Sequence, residues 1–108
     1  MKSQKSSSNM SPRLLPSTSG PNTSVASFRP ASEVLEETIR VLKLLDLQME
    51  QVDAWVVHCI SRDKIEFDAE VFEVKKLKSV FVVKLSPTMG DSKAFRHVRD
   101  KVIDELLL

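Results

Sequence analysis

The sequence predicts an α+β domain: a four-stranded antiparallel sheet with two helices packed on one face, in the order helix-strand-strand-strand-strand-helix. Three observations predict it. Two segments with apolar residues at helical spacing flank a run rich in β-branched residues. One segment inside that run alternates apolar and charged residues, as a sheet with one wet face does. Each helical segment has a single apolar face, so both must cover the same side of the sheet.

The domain is expected to begin near Phe28 and to run to Leu108. Pro30 and Ser32 announce the first helix, with Ser32 as the N-cap. Glu33, Glu36 and Glu37 follow, where the helix dipole favours negative charge. Leu35, Ile39 and Leu42 form the stripe, widened by Val34, Val41 and Leu45, so the helix spans 32–45. Residues 47–52 alternate weakly and give a first strand. Residues 54–61 (AWVVHCIS) are β-branched and aromatic and give a buried second strand. In 65–74, Ile65, Phe67, Ala69 and Val71 alternate with Glu66, Asp68 and Glu70. Phe72 and Val74 break the parity, which reads as a bulge or as a second contact surface. Residues 75–79 form a basic loop and 80–85 (VFVVKL) the fourth strand. Residues 86–90 form a turn broken by Pro87 and Gly90. Asp91 or Ser92 caps a last helix reaching about Leu107, with Phe95, Val98, Val102 and Leu106 as its stripe and Ile103 beside it.

Residues 1–27 read as a disordered spacer, because nine serines, three prolines and six apolar residues cannot offset chain entropy by burial. As a flexible coil this stretch reaches about 29 Å. Ser11-Pro12 is a candidate phosphorylation site, and also a dipeptide that any serine-rich tail contains.

Composition narrows the function. The 108 residues hold 16 Lys and Arg against 15 Asp and Glu, which excludes a histone-like polycation and an acidic tail. Cys59 is the one cysteine, so no disulfide framework and no cysteine-cluster zinc site exist. The longest apolar runs are four residues, far short of the roughly 20 that span a bilayer. Lys2 and Lys5 have no apolar core behind them, so no secretory signal is expected. The expectation is a soluble, cytoplasmic domain.

Charge is unevenly spread. Residues 1–30 carry Lys2, Lys5, Arg13 and Arg29 and no acid. Residues 31–61 carry a charge of −4. Within 75–101, Lys75, Lys76, Lys78, Lys84, Lys93, Arg96, Arg99 and Lys101 face only Asp91 and Asp100, a charge of +6. These eight cations are the candidate anion-binding residues. On the last helix, Lys93, Arg96 and Lys101 point away from the Phe95 stripe, Arg99 sits at its edge, and Asp100 and Asp104 weaken the field.

No catalytic constellation is present. His58 and His97 are read as buried structural residues, and His58 and Cys59 point to opposite faces of one strand. The only glycines, Gly20 and Gly90, form no phosphate loop. Asp104 and Glu105 read as solvated helix face, and Trp55 as core. No enzyme activity, cofactor or metal is expected. Sheet-face RNA binding would use exposed aromatics such as Phe67, Phe72 and Phe81; no RNA-binding motif surrounds them, and nucleic acid is not expected as a partner.

Gly90, Ala94, Phe95, Val98, Lys101, Val102, Glu105, Leu106 and Leu108 follow the pattern G-x-x-x-A-F-x-x-V-x-x-K-V-x-x-E-L-x-L. Glu70-Val71-Phe72-Glu73-Val74 and Leu77 precede it, and Pro30, Glu33, Val34 and Val41-Leu42 stand in the expected order. Over Phe28–Leu108 the chain resembles the kinase-associated C-terminal domain of microtubule-affinity-regulating kinases and their polarity and fungal relatives. The resemblance implies a regulatory module at the C-terminus of a serine/threonine protein kinase, whose ATP-binding transferase activity resides elsewhere. It implies binding of anionic phospholipids (phosphatidylserine, phosphoinositides) at the inner face of the plasma membrane, and inhibition of the kinase domain in cis. Distant relatives in AMP-activated, checkpoint and calcineurin-B-like-interacting kinases use the module for protein contacts, the alternative function. The sequence departs from lipid-binding members in its fourth strand, where only Lys84 is basic, and 86–89 resembles a small insertion. Four bases at about 1 kcal/mol each give about 4 kcal/mol, a Kd near millimolar. A second contact is then needed for stable attachment.

Overall fold

The computed structural model describes residues 11–15, 24–74 and 79–108. Two short strands come first, β1 (Arg13–Leu14) and β2 (Ser24–Ser27). Helix α1 (Ala31–Leu44) follows, then β3 (Gln48–Asp53), β4 (Val56–Ile60), β5 (Glu66–Glu73) and β6 (Phe81–Met89), and finally α2 (Ser92–Glu105). The sheet has six strands. Five run antiparallel in the order β2-β6-β5-β4-β3, and β1 lies parallel to β5.

This corrects the expected architecture of four strands in helix-first order. Both additional strands come from 1–27, the stretch expected to be a disordered spacer. β2 pairs Ser24–Ser27 with Lys84–Phe81. β1 sets Arg13 beside Phe72 and Leu14 beside Glu73, and the Leu15 N–H donates to the Glu73 carbonyl at 2.9 Å. Residues 1–10 and 16–23 of that stretch lie outside the described residues, as do Lys75, Lys76 and Lys78 of the basic loop.

The helix ends follow local chemistry. α1 starts at Pro30, whose carbonyl accepts from Glu33 and Val34. Ser32 falls inside the helix and is not its cap. At the other end Asp46 takes φ 62°, Asp46 N–H donates to Lys43 and Leu47 N–H to Leu42. This is the bond pair of a Schellman stop, with aspartate in the left-handed residue's place. α2 is capped by Asp91, which accepts from Ala94 N–H at 2.9 Å.

One core lies between the helices and one sheet face. Val34, Val41 and Leu42 of α1 and Phe95 and Val102 of α2 pack on Val57, Cys59, Phe67, Ala69, Val71, Val83 and Leu85. The Phe67 and Phe95 rings meet at 5.8 Å and 60°. Burial pushes the Cys59 thiol up to about 12, so it stays protonated and behaves as a small apolar group. Trp55 is half-buried at the β3–β4 turn and packs on the core's margin. The chain's end is tied to α1: Glu37 receives both Arg40 nitrogens at 2.8 Å and the Leu107 N–H at 2.7 Å. Those bonds, Arg40's first, hold its carboxyl down at about 2.

β6 outruns the expected strand and passes through Pro87 to Met89. Among the described residues β2 pairs β6 only as far as Lys84, so Pro87 lies beyond the last described pair on that side. The irregularity in the β5–β6 ladder falls between Glu66 and Phe67, and pairing is regular at Val71, Phe72 and Glu73. The parity break at Phe72 is therefore a second contact surface and not a bulge: Phe72 is buried on the face away from the helices, beneath Arg13.

Candidate functional site

Strand parity divides the polar side chains between two faces. Val83 and Leu85 enter the core, so Val82, Lys84 and Ser86 face the other way. The same alternation places Glu66, Asp68, Glu70 and Phe72 of β5, His58 of β4 and Glu50 of β3 on this open face. Lys84 stands opposite Glu70 in the ladder. On the far side of the domain, Lys93, Arg96, His97, Asp100 and Asp104 form the outward row of α2, at helical spacing from one another.

The eight candidate cations therefore do not form one described field. Lys93, Arg96 and Lys101 are exposed on α2 and take part in no ion pair among the described residues. Lys93, Arg96, His97 and Asp100 line one shallow surface depression, and Lys101 lines another with Arg62, Asp46 and Val98. Arg99 is 14% exposed and paired to Asp100 at 3.1 Å, which removes it from the free surface. Lys84 lies across the sheet from the α2 cations. Lys75, Lys76 and Lys78 are outside the described residues.

The open face is acidic, with two arrangements that sequence reading did not find. His58 is not a buried structural residue. Its Nδ1 meets Asp68 at 2.7 Å and its Nε2 meets Glu66 at 3.0 Å, with the ring 26% exposed. Glu50 lies directly across the ladder on β3, and Glu70 and Lys84 complete the neighbouring charges. The hydrogen bond to Asp68, then that to Glu66, raises the His58 pKa. The folded state thus binds the imidazole proton more tightly than the unfolded chain does, whose value is about 6.5. This contribution is complete below that value and is lost as pH rises through the folded value. Urea melts at pH 6 and pH 9 should show about 1 kcal/mol of this loss in the native chain, the worth of a partly wet pair. In His58→Gln the same interval should be flatter by that amount; equal slopes would remove the assignment.

The second arrangement is Arg13 on Glu70. Two guanidinium nitrogens reach the two carboxylate oxygens at 2.8 and 2.9 Å, and the guanidinium carbon lies 5.3 Å from the Phe72 ring centroid. The sequence signals were present but separated by 57 positions: an apolar pair, Leu14-Leu15, in an otherwise polar stretch, and a buried aromatic at the wrong parity.

Phe67 and Phe72 are buried and Phe81 is half-buried, so the open face offers no row of exposed aromatics for base stacking. Among the described residues no group of three His, Cys, Asp or Glu side chains is placed to hold a metal ion. No described helix is long and apolar enough to cross a membrane.

No family model and no curated protein matches the chain. Among solved structures, the fold is similar to a chain from the adenylate sensor of AMP-activated protein kinase in complex with 5-aminoimidazole-4-carboxamide 1-β-D-ribofuranotide. The TM-score is 0.59 at 12% identity, covering 76% of this chain and 93% of that one. The likeness is one of fold.

Proposed function

We propose that this chain is a non-catalytic regulatory module of a serine/threonine protein kinase, which meets anionic phospholipids at the membrane surface and contributes to inhibition of the kinase domain in cis. The observation that carries the lipid contact is the outward side of α2, where Lys93, Arg96 and Lys101 are exposed and outside any described ion pair. The fold likeness to a chain of a kinase's adenylate sensor supports the kinase setting. So does the terminal pattern from Gly90 to Leu108. Three cations at about 1 kcal/mol each give about 3 kcal/mol, a Kd weaker than millimolar. The module then acts as one of two contacts, and the acidic open face turns away from the lipid.

Pelleting with phosphatidylserine vesicles at millimolar lipid tests this. Binding should fall several-fold between low and physiological salt, and again in Lys93→Glu/Arg96→Glu/Lys101→Glu. Equal binding to neutral and anionic vesicles would end the lipid reading. A triple variant that binds like the native chain would move the contact off α2.

The acidic open face favours a second reading, a protein contact without lipid. Glu50, Glu66, Asp68 and Glu70 outnumber Arg13 and Lys84 there. This reading has the kinase chain's activity changing on removal of residues 28–108 while vesicles have no effect.

A further inference from the structure

We propose that the stretch of β5 beyond the end of β4 is a peptide-docking edge, filled here by residues 11–15, and that it accepts in trans an extended protein segment carrying proline, arginine and aliphatic residues in succession. The inference stands apart from the lipid reading, since it concerns the opposite face of the domain.

The edge exists because β4 is shorter than β5. The last β4 pair is Val56 with Glu70, whereas β5 continues to Glu73. An unpaired strand edge offers backbone donors and acceptors to any extended segment. β1 answers that offer with two residues in parallel register and with the Leu15 N–H on the Glu73 carbonyl. So short a strand has little stability of its own. Its side chains supply the selectivity. Pro12 is buried, Arg13 closes a two-pronged bond on Glu70, and its guanidinium lies over Phe72.

The receiving side is built more firmly than the ligand. The Glu70 side chain is 12% exposed and Phe72 is buried, whereas the Arg13 side chain is 73% exposed. A nearly buried carboxylate that shows both oxygens at an edge requires a cation there, and a planar guanidinium fits it better than an ammonium does. The ligand is an exposed arginine on a segment whose described strand pairs are with Phe72 and Glu73. A tethered ligand competes at an effective concentration near millimolar, which keeps the edge closed to weak segments and open to stronger ones.

The test uses the 108-residue chain and a synthetic peptide with the sequence of residues 9–16 (NMSPRLLP), followed by amide chemical shifts. In Arg13→Ala the tethered segment loses its anchor. The peptide should then perturb residues 70–74 saturably, at concentrations that leave the native chain unsaturated. A peptide with glutamate in place of arginine should bind at least tenfold more weakly. Arg13→Ala/Glu70→Arg should reverse that preference; if that chain does not fold, Arg13→Ala/Glu70→Gln should abolish it. Equal binding of the two peptides to Arg13→Ala would overturn the proposal. So would shifts centred away from 70–74, or no response at about 5 mM peptide.

Discussion

Phe67→Ala is expected to cost about 3–5 kcal/mol, the range for an aromatic removed from a packed core. Phe67 is fully buried near the start of β5, between β4 and β6, and its ring meets Phe95 of α2. Truncation loses transfer energy, leaves a cavity that neighbours on two strands and a helix cannot all collapse into, and ends the aromatic contact, itself worth about 0.5–1.5 kcal/mol. Against a total stability of roughly 4–13 kcal/mol for the 86 described residues, that loss is a large fraction. At roughly 4–8 °C per kcal/mol, the melting temperature should fall by at least about 12 °C. Phe72 is the internal comparison. It is also buried on β5 but on the other face, covered on its open side by the exposed Arg13, so Phe72→Ala should cost distinctly less. Denaturant melts of both variants check this. A Phe67→Ala loss under about 1 kcal/mol, or the reverse order of the two, would mean that the core does not centre on the Phe67–Phe95 pair.

How much of this could be read from the sequence depends on whether the signal was local. Both helices are visible because an apolar stripe repeats within each of them. The alternation of Phe67, Ala69 and Val71 against Glu66, Asp68 and Glu70 correctly separates the core face from the wet face. β1 and β2 are invisible by the same logic. A two-residue strand has no period, and Arg13 is ordered by a carboxylate far along the chain. The end of β6 is obscured by a sound local rule: Pro87 does break a central strand, but here it stands beyond the last described β2–β6 pair, at Lys84. The candidate cations fared unevenly for a related reason. The α2 cations could be placed by helix geometry. Lys84 was grouped with them through closeness in sequence, although strand parity between Val83 and Leu85 sends it through the sheet to the other face. His58 shows the limit of composition: a histidine among valines suggests burial, and only the ladder reveals that its cross-strand neighbours are acids.

Gly90→Ala is expected to destabilise the fold by about 2–4 kcal/mol, for two separable reasons. Gly90 joins β6 to α2 at φ +111°, a region that costs an L-residue about 1–3 kcal/mol. The added Cβ would also lie 2.6 Å from Ile65 Cδ1 and 3.2 Å from the Ile65 Cα. The first contact is with the end of a side chain, but Ile65 is itself buried in the core, so turning it away displaces packed neighbours. The second is with backbone, which has less room to move. Lys64, next along from the clash, separates the two causes. It holds φ 65° with an exposed side chain, so Lys64→Gly relieves strain without touching the packing and should be neutral or stabilising by up to about 1 kcal/mol. Gly90 also sets the direction in which α2 leaves the sheet, and hence where Lys93 and Arg96 stand. Gly90→Ala should therefore lose hydrogen-exchange protection first in α2, with vesicle binding falling in parallel. A variant as stable as the native chain would show that neither the turn's backbone nor the Ile65 contact constrains the helix. Lost stability with unchanged vesicle binding would instead place the lipid contact away from α2.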